Sequence, residues 1–533
     1  MSAAPARLSG AGAGAHPLVS SRRTRGLLQI LAAGVAPLVV ALAISVEVSS
    51  PNTLLLVGIA IGVLAIVGLM SSPRYELTML SVALYLGLLD GPVKLGIGGH
   101  EAVSAVRDVL IAAISAGALA RLFTKRERIP LPPLSAWVFV YVAVVLTEAF
   151  NPNTHGLTKT LGGFRQLLEW VPFFFFGYAL MRSKARFRRF FLLLGVLALA
   201  NGIVGAYQTR LSPQQLAAWG PGYEEIALGA KGFGGRTYKS EGEARVRPPA
   251  LGTDAGFGGG LGVLALPATL ALFAFRRRKR WAALLLCFGA MMATATGLGR
   301  LQLVGAITAV LAFGGLSLWM LLPRGPRVAL RPLAAIGCVL VLAIPAGVLF
   351  VSLVGSSTFS RYESIVKGGH SDNKLPGLTR IPNQLTKEPF GFGLGIAGAA
   401  AGFGGLSGNS ESGETHNPDA ETQYNFLADE LGVFGLLVSI GFTIRLLWLS
   451  LPRLKRIRDT ELLLYMTALL SSFIAMTVMG FYGPTLASEA FGPFLWFFAG
   501  TASYWFLGPG REALRGAETP RARPLALAGA GMS

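Results

Sequence analysis

Residues 461–480 of the chain read ELLLYMTALLSSFIAMTVMG, a run in which only the first residue is charged. A helix of about 20 apolar residues crosses the hydrocarbon core of a bilayer, and a helix satisfies its own backbone hydrogen bonds there. This run is therefore predicted to be a transmembrane helix. The whole chain has the same character, because 52% of its 533 residues are hydrophobic and 14% are charged.

Similar apolar runs recur on both sides of this one. We predict fourteen spans, at roughly residues 27–47, 53–70, 76–91, 103–122, 134–150, 163–181, 189–207, 255–275, 281–297, 302–322, 333–354, 424–447, 461–480 and 488–507. The third and fourth carry the weakest signal. The expected fold is thus an all-α polytopic membrane protein, a bundle of about 12–14 transmembrane helices.

The spans divide the chain into three parts. We expect a disordered cytoplasmic tail over residues 1–25, a transmembrane domain over 26–508 and a second disordered cytoplasmic tail over 509–533. Two long loops interrupt the transmembrane domain, at 208–254 and 355–423. A long loop between membrane spans usually has a function of its own.

Basic residues give the chain a net charge of +20 and an expected topology. They cluster at Arg121–Arg128, Arg182–Arg189, Arg276–Arg280, Arg324–Arg331, Arg453–Arg458 and Arg511–Arg523. By the positive-inside rule these clusters and both termini face the cytoplasm, so both long loops are extracytoplasmic. The N-terminus imitates a signal peptide, but its apolar run continues too far and favours an uncleaved first helix. No basic run is interleaved with exposed aromatic residues, so nucleic acid is not an expected partner.

Four arginines stand on the extracytoplasmic side of this topology, against the charge bias. They are Arg165 near the start of a span, Arg247 at the end of the first long loop, Arg300 in a short turn and Arg361 at the entrance of the second long loop. A guanidinium binds phosphate oxygens in a bidentate fork. Ordinary alternatives remain open: an interfacial position for Arg300, solvated loop pairs for Arg247 and Arg361, and a helical pair with Glu169 for Arg165.

Two residues near the end of the second long loop are candidate proton acceptors. Glu421 lies where a span begins, and His416 lies five residues before it. A carboxylate or imidazole at a partly desolvated surface can be tuned to act as a general base. The alternatives are a helix N-terminal charge for Glu421 and a solvated loop position for His416.

The letters of residues 393–398, GLGIAG, match a dinucleotide-binding fingerprint. That motif requires a strand before it and a helix after it within a βαβ unit. Here it lies in a loop between membrane spans, so a flexible or re-entrant turn is the better interpretation.

In this order, the motifs resemble the O-antigen ligase and O-antigen polymerase family of bacterial surface-polysaccharide assembly over roughly residues 160–500. The residues that carry the resemblance are Arg165 in GFRQLL, Arg247 before PPALGTD, Arg300 in TATGLGR, Arg361 at the loop entrance, PFGFGLG at 389–395, Glu421 with Tyr424, and Glu430 with Gly432 and Gly435. Family ligases carry His-Asn where this chain has Glu421-Thr422. That departure favours a polymerase-like member.

The resemblance implies a fold like that of the GT-C-like membrane glycosyltransferases in a bacterial inner membrane. It implies metal-independent transfer of a glycan from a polyprenyl-pyrophosphate carrier to an acceptor glycan, with no cofactor. Expected partners are these two substrates, membrane lipid, and a chain-length regulator or flippase. Arg300 and Arg361 would hold the pyrophosphate, with Arg247, Arg165 and Tyr424 in the substrate-binding set. Glu421, or His416 in its place, would deprotonate the acceptor.

Three other functions stay open. An O-antigen ligase would perform the same chemistry on a lipid core or protein acceptor. A flippase for lipid-linked oligosaccharide, or another transporter, would place ionisable residues in mid-span and keep its loops short. A binding or scaffold protein would use the long loops as partner surfaces.

Overall fold

The structure is a computed structural model that describes residues 83–97, 107, 111, 114–115, 131–154, 156–229, 237–240, 243–275, 280–354, 371–397 and 422–511. The chain divides into two compact units. The first, Met1–Met79 with Ala105–Ile129, is described at only four positions. The second, Leu80–Ser104 with Pro130–Ser533, contains every element described below.

The second unit is helical, with one small hairpin. Its helices are α1 Asp90–Ile97, α2 Ser135–Thr147, α3 Gly156–Leu168, α4 Pro172–Leu180, α5 Lys184–Gln208, α6 Pro213–Ala217, α7 Pro221–Leu228, α8 Phe257–Phe275, α9 Arg280–Thr296, α10 Arg300–Leu321, α11 Pro326–Val354, α12 Ser371–Lys387, α13 Gln423–Leu454, α14 Thr460–Met479 and α15 Gly492–Ala502. Strands β1 Thr237–Ser240 and β2 Glu243–Val246 pair antiparallel, with Tyr238 opposite Arg245.

Six of these helices are long and apolar enough to cross a membrane. They are α5, α8, α10 with its continuation to Arg324, α11 as far as Pro345, α13 and α14. Helix α2 with the turn that follows it, and α9, are apolar but shorter. The prediction of an all-α membrane protein is confirmed at this level. The count of about 12–14 spans stays a prediction, because the first spans lie largely outside the described residues.

Helix α8 forms the centre of the bundle and packs against α5, α9, α10, α11 and α14. In the most apolar 18-residue stretch of this helix, 89% of the residues are buried. Glycines at 258, 259, 260 and 262 let neighbouring backbones come close, as small residues do between membrane helices. A Cβ on Gly262 would lie 2.7 Å from the backbone nitrogen of Thr294 in α9.

The span predicted over residues 163–181 is wrong in one respect, because the structure breaks it into α3 and α4. Residues Glu169–Val171 form the break. Pro172 is the first residue of α4, where its missing N–H would be unpaired in any helix. A proline inside a continuous helix would remove a hydrogen bond and clash with the preceding turn.

Parts of both predicted loops form regular structure. In the first, α6, α7 and the hairpin bury Leu216, Tyr223 and Val246 together with Leu95 of α1. In the second, α12 packs against α13. Where the structure describes them, both segments are therefore folded and pack against helices of the second unit.

Several basic residues lie at one end of the bundle, which we call the basic end. Arg324 donates hydrogen bonds to the backbone carbonyls of Ile457 and Arg458. The Lys184 ammonium lies 2.6 Å from the carboxylate of Asp459, at the start of α14. Helices α8 and α10 begin at the opposite end, which we call the site end, and run toward the basic end.

Candidate functional site

Residues 480–491, the segment that joins α14 to α15, organise the site end. The backbone N–H of Gln423 donates to the carbonyl of Gly480 at 2.8 Å. The Gln423 side-chain oxygen accepts from the N–H of Leu486 at 2.7 Å. A Cβ on Gly483 would lie 2.8 Å from the side chain of Leu301, next to Arg300. This segment therefore connects the start of α13 to the start of α10.

Arg300 and Arg247 reach the same corner of the site end. Arg300 is half-buried and begins α10. Two residues later, the side-chain amide of Gln302 donates to the carbonyl of Gly256 at 3.3 Å. The N–H of Gly256 in turn donates to the carbonyl of Pro248 at 3.1 Å, next to half-buried Arg247. A short chain of contacts thus links two arginines that are far apart in sequence.

Two buried amides of α5 hold the segment that follows Arg247. Gln208 accepts from the N–H of Ala250 at 2.8 Å and donates to its carbonyl at 3.1 Å. Asn201 accepts from the N–H of Leu251 at 3.1 Å and donates to the carbonyl of Gly87 at 2.9 Å. Neither Gln208 nor Asn201 was among the candidate site residues predicted from the sequence. Polar amides within an apolar span were the available signal, since a span rarely buries them without a partner.

Tyr424 lies at the same end, one residue into α13. Its ring centroid is 4.6 Å from that of Phe481, and its hydroxyl donates to the carbonyl of Thr477 at 3.4 Å. The hydroxyl of Thr422 caps α13 by accepting from the N–H of Asn425 at 3.2 Å. The remaining candidates, Arg361, His416 and Glu421, lie outside the described residues.

Arg165 lies on α3, against the second long loop. The next residue, Gln166, donates its side-chain amide to the carbonyl of Ala397 at 3.1 Å. A Cβ on Gly163 would lie 2.7 Å from that of Leu394. Helix α3 is therefore packed against the turn formed by residues 389–397. The structure gives Arg165 a place beside this turn, apart from the corner that contains Arg247 and Arg300.

A buried carboxylate explains the glycine-rich turn. Glu430 of α13 is 0% exposed, and its Oε1 accepts from the N–H of Ala397 at 3.1 Å. The N–H groups of Gly395 and Ile396 also face this carboxylate. Gly395 has a φ of +72°, and a Cβ there would collide with the carbonyl of Lys159. The turn therefore surrounds the carboxyl group of the protein's own Glu430 with backbone N–H groups.

Lys159 of α3 completes this buried cluster. Its side chain is 6% exposed. Burial lowers the pKa of Lys159, and the nearby Glu430 carboxylate acts in the opposite direction. In the sequence, Glu430 was named only as part of a motif with Gly432 and Gly435. A carboxylate seven residues into a predicted span was the signal for a buried ionic site.

Cationic and acidic side chains both occur at the site end. The described cations there include Arg165, Arg247 and Arg300, while the acidic Glu489 lies 3.7 Å from the ammonium of Lys94. Among the residues that the structure describes, no three His, Cys, Asp or Glu side chains are grouped to hold a metal ion.

Comparison of the chain with protein-family models, curated proteins and solved structures found no match. The resemblance to the O-antigen ligase and polymerase family therefore rests on the motifs in the sequence alone. The proposed function therefore depends on these motifs and on the contacts at the site end.

Proposed function

We propose that the protein is a membrane glycosyltransferase with a GT-C-like fold. It transfers a glycan from a polyprenyl-pyrophosphate carrier to the hydroxyl of an acceptor glycan and so polymerises polysaccharide repeat units. The observation that supports this best is the chain of contacts from Pro248 through Gly256 to Gln302, which brings the segments of Arg247 and Arg300 to one corner at the end that also contains Tyr424.

The proposed reaction needs charge stabilisation at its leaving group. The acceptor oxygen attacks the anomeric carbon, the bond from that carbon to the pyrophosphate oxygen breaks, and the electron pair leaves on the pyrophosphate. Guanidinium groups of Arg300, Arg361 and Arg247 stabilise that developing charge. Glu421 takes the proton of the acceptor hydroxyl, and it directly precedes the capped start of α13. His416 is the second candidate for this role.

A flippase for the same lipid-linked glycan is the second candidate function. The observation that favours it is the buried pair of Glu430 and Lys159, since ionisable groups inside a membrane bundle are typical of transporters. A ligase would share the transferase chemistry and differ only in its acceptor.

The decisive experiment measures release of free polyprenyl pyrophosphate. Purified protein in liposomes is given a polyprenyl-pyrophosphate oligosaccharide and an acceptor glycan. We expect Arg300→Ala to reduce the release rate about 100- to 1000-fold, the usual cost of one electrostatic group at a developing charge. Arg247→Ala and Arg361→Ala should also reduce it. Arg300→Lys should recover part of the rate, because it keeps the charge but loses the fork.

Arg280→Ala is the matched control, since Arg280 is an exposed arginine that begins α9 at the basic end. Normal release in Arg300→Ala and Arg247→Ala, at normal expression, would contradict the assignment of these residues. Movement of the lipid across the bilayer with its bond to sugar intact would favour the flippase. The length of the product chain and the identity of the acceptor separate polymerase from ligase.

A further inference from the structure

A pocket opens in the bundle between α2, α13 and the start of α15, beside the 480–491 segment. It contains a cavity of about 50 Å³ that is open at its mouth. Aromatic side chains form much of its wall, including Trp137, Tyr141, Phe442 and Trp496. Every described residue that lines it is uncharged. The pocket is therefore suited to a largely apolar ligand.

Three polar atoms in this wall lack a hydrogen-bond partner within the described part of the chain. They are the side-chain nitrogen of Gln423, the hydroxyl of Ser439 and the indole nitrogen of Trp496. Gln423 and Trp496 are each only 4% exposed. Buried polar atoms are almost always paired. Two of the three are N–H donors, so the missing partner has acceptor oxygens.

The surface beside the pocket indicates where its ligand comes from. On α2 and α13 the large apolar side chains next to the lining residues are exposed: Phe139, Val140, Leu437 and Ile444 are each at least 49% exposed. In a chain with membrane-spanning helices, such a surface faces lipid. The ligand that reaches this pocket therefore comes from the bilayer.

We propose that the pocket binds the ester-linked end of one acyl chain of a glycerophospholipid. Its hydrocarbon lies against the aromatic wall, and ester carbonyl oxygens accept hydrogen bonds from Gln423 and Trp496. A polyprenyl chain fits less well, because it has no oxygen before its phosphate and no cation lines the described pocket. The site is separate from the proposed transfer reaction and shares only Tyr424 with it.

The test uses diacyl phosphatidylglycerol and its dialkyl ether analogue, which lacks ester carbonyls. Affinity of each lipid for delipidated protein in detergent is measured by native mass spectrometry. We expect the wild type to retain one diester lipid and to bind the ether about 3- to 10-fold more weakly, the worth of one or two hydrogen bonds. Trp496→Phe and Gln423→Glu should lower diester affinity toward the ether value. Both variants should bind the ether analogue about as tightly as the wild type does.

Steric variants give an independent check. Ser439→Trp fills the pocket and should abolish retention of the lipid. Ile444→Trp adds the same bulk on the exposed face of the same helix and should leave retention unchanged. Equal affinity for ester and ether lipids, retention in Ser439→Trp, or displacement of the lipid by polyprenyl pyrophosphate would each overturn the proposal. If Ser439→Trp does not fold, the ester–ether comparison in Trp496→Phe decides.

Discussion

Among single residues, Glu430 is the group whose removal should destabilise the protein most. Its carboxylate accepts the N–H of Ala397 and faces buried Lys159. Glu430→Ala leaves that donor without its acceptor and removes the carboxyl group near Lys159. A buried donor that loses its partner costs about 1–3 kcal/mol, and more is expected beside a charge. We expect a clear drop in the midpoint of thermal unfolding in detergent.

Glu430→Gln is the discriminating variant. It keeps an oxygen for the Ala397 N–H and loses only the charge, so it should fall between the wild type and Glu430→Ala. Glu225→Ala serves as the control, because Glu225 is exposed on α7 and such a change usually alters stability by less than about 0.5 kcal/mol. Equal midpoints for Glu430→Ala and the control would show that the carboxylate does not hold the turn.

Some residues of the candidate site could be predicted from the sequence, and others could not. Arg247, Arg300 and Tyr424 could be chosen in advance, because polar side chains beside apolar spans are conspicuous. Their neighbours could not, since the contact from Pro248 through Gly256 to Gln302 depends on how three separate segments fold together. The partner of Glu430 was equally hidden, because it consists of backbone N–H groups of the glycine-rich turn, which no side-chain pattern reports.

At the level of elements, the start of α14 depends on Asp459. One carboxylate oxygen accepts from the N–H of Leu462 at 2.9 Å, and the other lies 2.6 Å from the Lys184 ammonium. Burial alone would raise the pKa of Asp459. The hydrogen bonds from Lys184 and from the backbone outweigh burial and hold this pKa below its usual value.

A carboxyl group with a lowered folded pKa stabilises the protein above its unfolded pKa, and this stability is lost as the pH falls through the folded pKa. Asp459→Ala should therefore lower the free energy of unfolding by about 1 kcal/mol at neutral pH, the usual value of an N-cap. The difference from wild type should shrink as the pH falls below about 4. Thermal unfolding in detergent across this range measures it. Asp459→Asn keeps the cap, so a loss as large as that of Asp459→Ala would contradict the capping role.

The sequence predicts some helices more clearly than others. Apolar runs such as those of α5, α10 and α14 are predictable, because hydropathy and length alone identify a span. The break between α3 and α4 was missed because the apolar residues on both sides of Glu169 and Pro172 were read as one continuous span. Helix α12 was missed because its composition is polar. Its contact with α13 could not be predicted either, because the two helices are separated in the sequence.

For the whole molecule, the separation of the two ends makes a testable topology. From the positive-inside rule we expect the basic end to lie in the cytoplasm and the site end outside it. In a background without Cys287 and Cys338, Tyr482→Cys reports on the site end and Arg458→Cys on the basic end, and both positions are exposed. We expect a membrane-impermeant maleimide to label the first variant in sealed right-side-out vesicles. The second should be labelled only after detergent is added.

Labelling of Arg458→Cys without detergent would reverse the expected orientation. It would also place Arg247 and Arg300 on the cytoplasmic side, opposite to the face on which we expect the transfer reaction. The contacts within the bundle would be unaffected by that outcome.

The enclosure of α8 has a consequence for biogenesis. This helix is surrounded on several sides, yet one of its neighbours, α14, begins only at Thr460. During synthesis α8 therefore enters the bilayer long before α14 leaves the ribosome, and one flank of it is covered by lipid in the interval. We expect a nascent chain that stops short of Thr460 to leave that flank of α8 without its helical neighbour.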